Sequence, residues 1–95
     1  MKREVVLAPG VELELREILE YLEESGGKSS AKRFMAAFVQ KIELISSFPY
    51  IYPPTDRFEG GRKCVIMNKS ILYYRVPNEG LIQVISIRDG RSSRV

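Results

Sequence analysis

Apolar residues recur at two different periods along the chain, which divides it into a helical half and a strand-rich half. From Val11 they follow the spacing of one face of an α-helix, at Val11, Leu15, Ile18, Leu19 and Leu22. A second stripe of the same period comprises Ala31, Phe34, Met35, Phe38, Ile42 and Ile45. The pattern predicts two helices whose apolar stripes, Met35 included, face a common core.

The break between the two stripes predicts a tight turn. It holds Ser25, Gly26 and Gly27, and glycine commonly closes a helix. Because this connection is short, we expect the helices to lie antiparallel as an αα-hairpin. Pro49 ends the second helix. The glutamates on the remaining positions of the first helix are interpreted as a solvated face; they are Glu12, Glu14, Glu17, Glu20, Glu23 and Glu24.

Strand periodicity marks four further segments. Residues 3–8 precede the helices, and residues 62–67, 70–76 and 81–87 follow them, the last three joined by short turns as an antiparallel meander. Residues 48–61 contain three prolines and two glycines and are expected to form an irregular loop. The predicted fold is α+β: an N-terminal strand, then an αα-hairpin packed on one face of an antiparallel sheet that the C-terminal meander completes, all in one domain.

Alternation along the strands assigns residues to faces. Tyr73 and Arg75 share one face of the middle strand, and in the last strand Ile87 groups with Gln83 and Ile85. We expect the face away from the helices to be partly open and to expose Arg75 together with Arg62. Such a face suits anions, and Tyr73 is available to stack on a nucleic-acid base.

Composition narrows the classes of protein. The 95 residues are 44% hydrophobic and 28% charged, which suits one small globular domain. No apolar run reaches the length of a membrane span, and residues 1–7 lack the pattern of a signal peptide, so we expect a cytoplasmic protein without membrane association. With no histidine and one cysteine, an internal disulfide, a Cys/His zinc site and a Ser-His or Cys-His pair are excluded, and we expect no metal or cofactor.

Charge is distributed unevenly. Residues 1–48 carry seven Lys/Arg and eight Asp/Glu, whereas residues 49–95 carry eight and four. Six of those eight cations are arginines, whose planar fork suits phosphates, carboxylates and buried interfaces. The second half therefore suggests an acidic partner, protein or nucleic acid, with a merely solvated basic surface as the alternative.

Two segments near the C-terminus carry a family resemblance. Residues 71–76 read Ile-Leu-Tyr-Tyr-Arg-Val, and residues 84–91 read Val-Ile-Ser-Ile-Arg-Asp-Gly-Arg. With the Phe48-Pro49 stop and Arg62, and with the order of elements along nearly the whole chain, they resemble the RelE/ParE superfamily of bacterial toxins. The resemblance implies a type II toxin–antitoxin pair, in which a cognate antitoxin folds an extended segment over the toxin. It implies one of two targets. One branch of the superfamily poisons DNA gyrase without catalysing a reaction, and the other cleaves mRNA in the ribosome.

Departures from the family pattern bear on this choice. The mRNA-cleaving branch tends to place an arginine where this chain has Ile71, and Asp89 stands at the position of the family's final histidine. The resemblance is therefore closer to the gyrase-poisoning ParE branch. A RelE-type endoribonuclease and a degenerate toxin that only binds antitoxin are the alternatives. Catalytic residues are left unassigned, and the candidates for target binding are Arg62, Lys63, Tyr73, Arg75, Arg88, Asp89 and Arg91.

Overall fold

The computed structural model describes residues 2–67 and 69–89. A short strand precedes a long helix, and three strands follow, which confirms the predicted α+β class. The elements are β1 (Glu4–Leu7), α1 (Val11–Ser47), β2 (Gly61–Ile66), β3 (Ser70–Asn78) and β4 (Leu81–Asp89).

The strands form one four-stranded sheet in the order β1-β4-β3-β2. The C-terminal meander pairs antiparallel as predicted. The first strand, whose place the sequence left open, pairs parallel with β4, from Glu4 opposite Leu81 to Leu7 opposite Val84. The sheet is therefore antiparallel except at this edge, where the first and last strands of the chain pair in parallel.

The predicted αα-hairpin is not confirmed: α1 spans 37 residues as one element, in which two helical parts meet at a kink. Gly27 interrupts its geometry with φ 83° and ψ 177°, outside the helical region. A straight helix of this length would span about 55 Å, yet the longest dimension of the protein is 39 Å. The helix must therefore bend sharply at the glycine, which lies in the segment where the sequence predicted a turn.

The core lies between one face of the sheet and α1. Both parts of the helix contribute, through Val11 and Ile18 before Gly27 and through Phe34 after it. Met35 was expected in the core but is exposed at the surface, since it lies beside the buried stripe rather than within it. Burying both parts on one sheet face makes a single hydrophobic core.

A β-bulge in β4 overturns the predicted face of Ile87. The register shifts between the pairs Tyr73–Ser86 and Tyr74–Val84, so β4 carries one extra residue at this point. The extra residue reverses the alternation beyond it. Ile87 is consequently buried in the core with Val84 rather than grouped with Gln83 on the other face.

Within the described residues, no helix combines the length and the apolar character that a membrane crossing requires.

Candidate target-binding surface

The sheet face opposite α1 carries one exposed cation on each strand of the meander. Lys63 on β2 lies directly opposite Tyr73, and Arg88 on β4 lies opposite Ile71. Tyr73 and Ile71 share a face of β3 with Arg75, because side chains alternate along a strand and directly opposed residues share a face. Lys63, Arg75 and Arg88 are named here the open-face cations; all three are exposed.

Arg75 is hydrogen-bonded across the sheet to the neighbouring strand. Its Nε donates a hydrogen bond to Oε1 of Gln83 at 2.8 Å, and Gln83 is its direct neighbour on β4. The bond uses one guanidinium N–H, so the rest of the fork can bind a carboxylate or a phosphate. This geometry gives Arg75 a defined orientation on an exposed surface.

Arg88 is oriented through a chain of hydrogen bonds that ends on the helix. Its Nε donates to Oγ of Ser86 at 3.2 Å, and that hydroxyl donates to the carboxylate of Glu14, with 3.1 Å to Oε1. Oε1 also accepts the backbone N–H of Ile87 at 3.0 Å. Glu14 was interpreted as solvated, which is wrong; helical periodicity carries no signal for a contact 73 residues away.

Tyr73 is not available for stacking, contrary to expectation. It is only 5% exposed, because the loop after α1 folds over its ring. The Phe58 ring lies edge-on at 5.2 Å between centroids, and the Arg57 guanidinium lies 5.8 Å from the ring centre. The loop therefore closes part of the face that was expected to be open, and Arg57 adds a cation there.

The strand pattern had suggested that Arg62 and Arg75 share a face of the sheet, but they do not. In the register Arg62 lies opposite the buried Tyr74, whereas Gly61 lies opposite Arg75. The Nη1 of Arg62 donates to the backbone oxygen of Tyr52 at 2.7 Å, and its guanidinium lies 5.0 Å from the centre of the Tyr50 ring. The prediction failed because the alternation along β2 places the Arg62 side chain on the helix side of the sheet. Arg62 anchors the loop to the sheet.

A second anchor holds the same loop. The hydroxyl of Tyr74 donates to the backbone oxygen of Pro49 at 2.6 Å, and both residues are buried. Burial disfavours the charged phenolate and raises the pKa of Tyr74 to about 12. The Tyr74 hydroxyl therefore remains a proton donor at neutral pH and fixes the start of the loop.

Lys41 and Cys64 complete the surroundings of the loop. Nζ of Lys41 donates to the hydroxyl of Tyr52 at 3.2 Å, and this bond raises the pKa of the lysine. Burial raises the pKa of the Cys64 thiol, which favours its protonated form. These contacts are structural, since they tie the helix, the loop and β2 together.

The two remaining sequence candidates lie at the end of β4. Asp89 is half-buried and lies opposite Ser70. Arg91 lies outside the described residues. Among the residues that the structure describes, no group of three His, Cys, Asp or Glu side chains is placed to hold a metal ion.

Solved structures of toxins share this fold. A structure described as the chromosomal ParDE system from P. aeruginosa matches with a TM-score of 0.77 and 13% identity, over 93% of this chain and 96% of that one. The RelBE2 toxin–antitoxin complex from Mycobacterium tuberculosis matches with a TM-score of 0.68 and 16% identity, over 94% and 99%. The E. coli DinJ-YafQ toxin-antitoxin complex matches with a TM-score of 0.66 and 13% identity, over 100% of both chains. At these identities the likeness establishes the fold alone.

The sequence supplies the family. A family model described as the ParE toxin of the type II toxin-antitoxin system parDE matches residues 5–94. Among curated proteins, none has a sequence that matches this chain. The fold is that of RelE/ParE superfamily toxins, as the resemblance implied. The chain belongs to the ParE toxin family of type II toxin–antitoxin systems.

Proposed function

We propose that this protein is a non-enzymatic toxin that inhibits growth by binding a protein target such as DNA gyrase, and that a cognate antitoxin neutralises it. The match to the ParE toxin family over residues 5–94 supports the branch. The observation that carries the proposal is the burial of Tyr73 beneath Phe58 and Arg57, because this side chain was the candidate for contact with an RNA base.

The chemistry of the surface favours binding over cleavage. Cutting RNA requires a base to activate the 2′-hydroxyl and an acid for the leaving group. The open-face cations are two arginines and one lysine. Neither arginine can act as the base, because arginine does not lose its proton at physiological pH. The chain contains no histidine to take that role. What the surface offers is positive charge held in a defined geometry, which suits carboxylates on a protein partner.

An antitoxin partner agrees with the charge of the chain and with its relatives. The net charge is +3, so an acidic segment is attracted to it over a long range. The similar structures named RelBE2 and DinJ-YafQ are described as toxin–antitoxin complexes. We infer that this chain likewise pairs with an antitoxin.

The direct test uses purified DNA gyrase in a supercoiling assay. We expect the wild-type protein to inhibit the reaction, the cognate antitoxin to restore it, and Arg75→Ala to weaken inhibition. Lys32→Ala is the matched control, because it removes an exposed cation from the helix and leaves the open-face cations in place. Supercoiling that proceeds unchanged at a large excess of toxin would exclude gyrase as the target.

A ribosome-dependent endoribonuclease is the second candidate. The open-face cations favour it, since lysine and arginine also bind RNA phosphates. Cleavage of mRNA in a reconstituted translating ribosome would establish this activity. A protein that causes no growth arrest on induction, yet binds the antitoxin, would be a degenerate toxin.

A further inference from the structure

The turn that follows α1 exposes three large apolar side chains in succession. Phe48 and Tyr50 are each 60% exposed and Ile51 is 55% exposed. These three side chains are named here the aromatic knob. Exposed apolar clusters are characteristic of binding sites, since they contribute to stability only when a partner covers them. The knob follows the end of the helix, whereas the open-face cations lie on the strands of the meander.

Hydrogen bonds hold the knob in shape without a partner. The N–H of Phe48 donates to Leu44 O at 2.9 Å, and the N–H of Ile51 donates to Phe48 O at 3.2 Å, which closes the turn. Strand side chains hold the backbone on either side, through the bond from Tyr74 to Pro49 and the bond from Arg62 to Tyr52. A surface that is ordered in advance loses little conformational entropy on binding.

Two cations lie at the knob or beside it. The Arg62 guanidinium lies 5.0 Å from the centre of the Tyr50 ring, and Lys41 bonds to the Tyr52 hydroxyl. Aromatic side chains beside arginine are the usual centre of a protein interface, and the positive rim calls for negative charge on the partner.

We propose that the aromatic knob is a docking site through which the toxin holds its protein target, inserting Tyr50 and Ile51 into an apolar pocket bordered by carboxylates. This inference rests on the proposed function and adds a second contact surface to it. The aliphatic side chain of Ile51 cannot stack on a base and gains nothing from a phosphate backbone, so a protein fits the knob better than RNA. A second copy of this chain is disfavoured, because two positive rims would meet.

The experiment compares two double variants of the full-length protein. Tyr50→Ser with Ile51→Ser removes the knob, and Leu13→Ser with Val39→Ser removes two helix residues of similar exposure, 53% and 45%. Growth arrest on induction, affinity for the purified antitoxin and inhibition of purified gyrase are measured for each. We expect the knob variant to lose potency at least about tenfold in growth arrest while antitoxin affinity and thermal stability stay unchanged, as for removal of an interface hot spot. The helix variant should keep its potency.

The outcomes separate this inference from the proposed function. Full growth arrest by the knob variant would overturn the docking site and leave gyrase inhibition standing. Loss of antitoxin affinity with growth arrest intact would show that the knob is an antitoxin contact, which also overturns the inference. If wild-type protein leaves gyrase unaffected while the knob variant loses growth arrest, the proposed gyrase target fails and docking to another protein stands.

Discussion

The carboxylate of Glu14 accepts the backbone N–H of Ile87 at 3.0 Å, although 73 residues separate the two in sequence. The first strand pairs with β4 only as far as Leu7 opposite Val84, so β4 continues beyond its neighbour. Beyond that point Glu14 occupies the place of the missing strand. One side chain thereby satisfies a backbone donor at the sheet edge and orients Ser86 beneath Arg88.

Replacing Glu14 by alanine should destabilise the protein. The Ile87 N–H and the Ser86 hydroxyl would lose their acceptor, at a cost of about 1–3 kcal/mol in the free energy of unfolding. Urea denaturation measures this loss. Glu17→Ala, on an exposed position of the same helix, should change the free energy by less than about 0.5 kcal/mol. Equal effects of the two variants would contradict a specific role for Glu14.

Replacing Tyr74 by phenylalanine should lower stability at neutral pH and change its dependence on alkaline pH. The variant leaves Pro49 O without its donor, which costs about 1–2 kcal/mol. Because the folded pKa is raised from 10.0 to about 12, the contribution of Tyr74 is complete below pH 10 and is lost as pH rises toward 12. The midpoint temperature of thermal denaturation should therefore fall less steeply between pH 8 and pH 12 for the variant than for the wild type.

The control for this change is Tyr50→Phe, which removes an exposed hydroxyl. It should leave the stability at pH 8 as in the wild type. A Tyr74→Phe protein with an unchanged alkaline slope would show that Tyr74 does not titrate in this range.

Replacing Gly27 by alanine should strain the bend in α1. With φ 83° and ψ 177°, Gly27 adopts a backbone conformation that is almost restricted to glycine. No atom lies within 4 Å of an added Cβ, so the cost is one of backbone conformation, about 1–3 kcal/mol. Chemical denaturation should show the loss, whereas Ser29→Ala, two residues further on, should have little effect. A fully stable Gly27→Ala protein would mean that the bend tolerates another geometry.

Replacing Arg75 by alanine should relieve growth arrest without destabilising the fold. The side chain is exposed, and Gln83, its hydrogen-bond partner, can bond to water instead. We expect a change of less than about 0.5 kcal/mol in the free energy of unfolding. Induced expression with a parallel melting curve checks both parts. A large loss of stability would assign Arg75 a structural role, and full growth arrest would remove it from the target surface.

Local patterns determined much of this protein. The helical stripes, the meander and the irregular loop depend on periods and turn residues within short windows, and all were predictable. The glycine break was located correctly at Ser25 to Gly27, although the sequence predicted a hairpin turn there rather than a kink within α1. The family resemblance rested on short stretches of β3 and β4, and those stretches contain Arg75 and Arg88, two of the three open-face cations.

Tertiary structure decided which of those residues meet. The bulge in β4 transferred Ile87 to the core, and the register of β2 turned Arg62 away from Arg75 toward the loop. Glu14 gained its role from a strand 73 positions later. Such relationships depend on register and on packing between distant segments, and a one-residue shift reverses every face. The sequence alone therefore predicted the elements and the basic half, whereas only the folded chain separated the exposed cations from those that hold the loop.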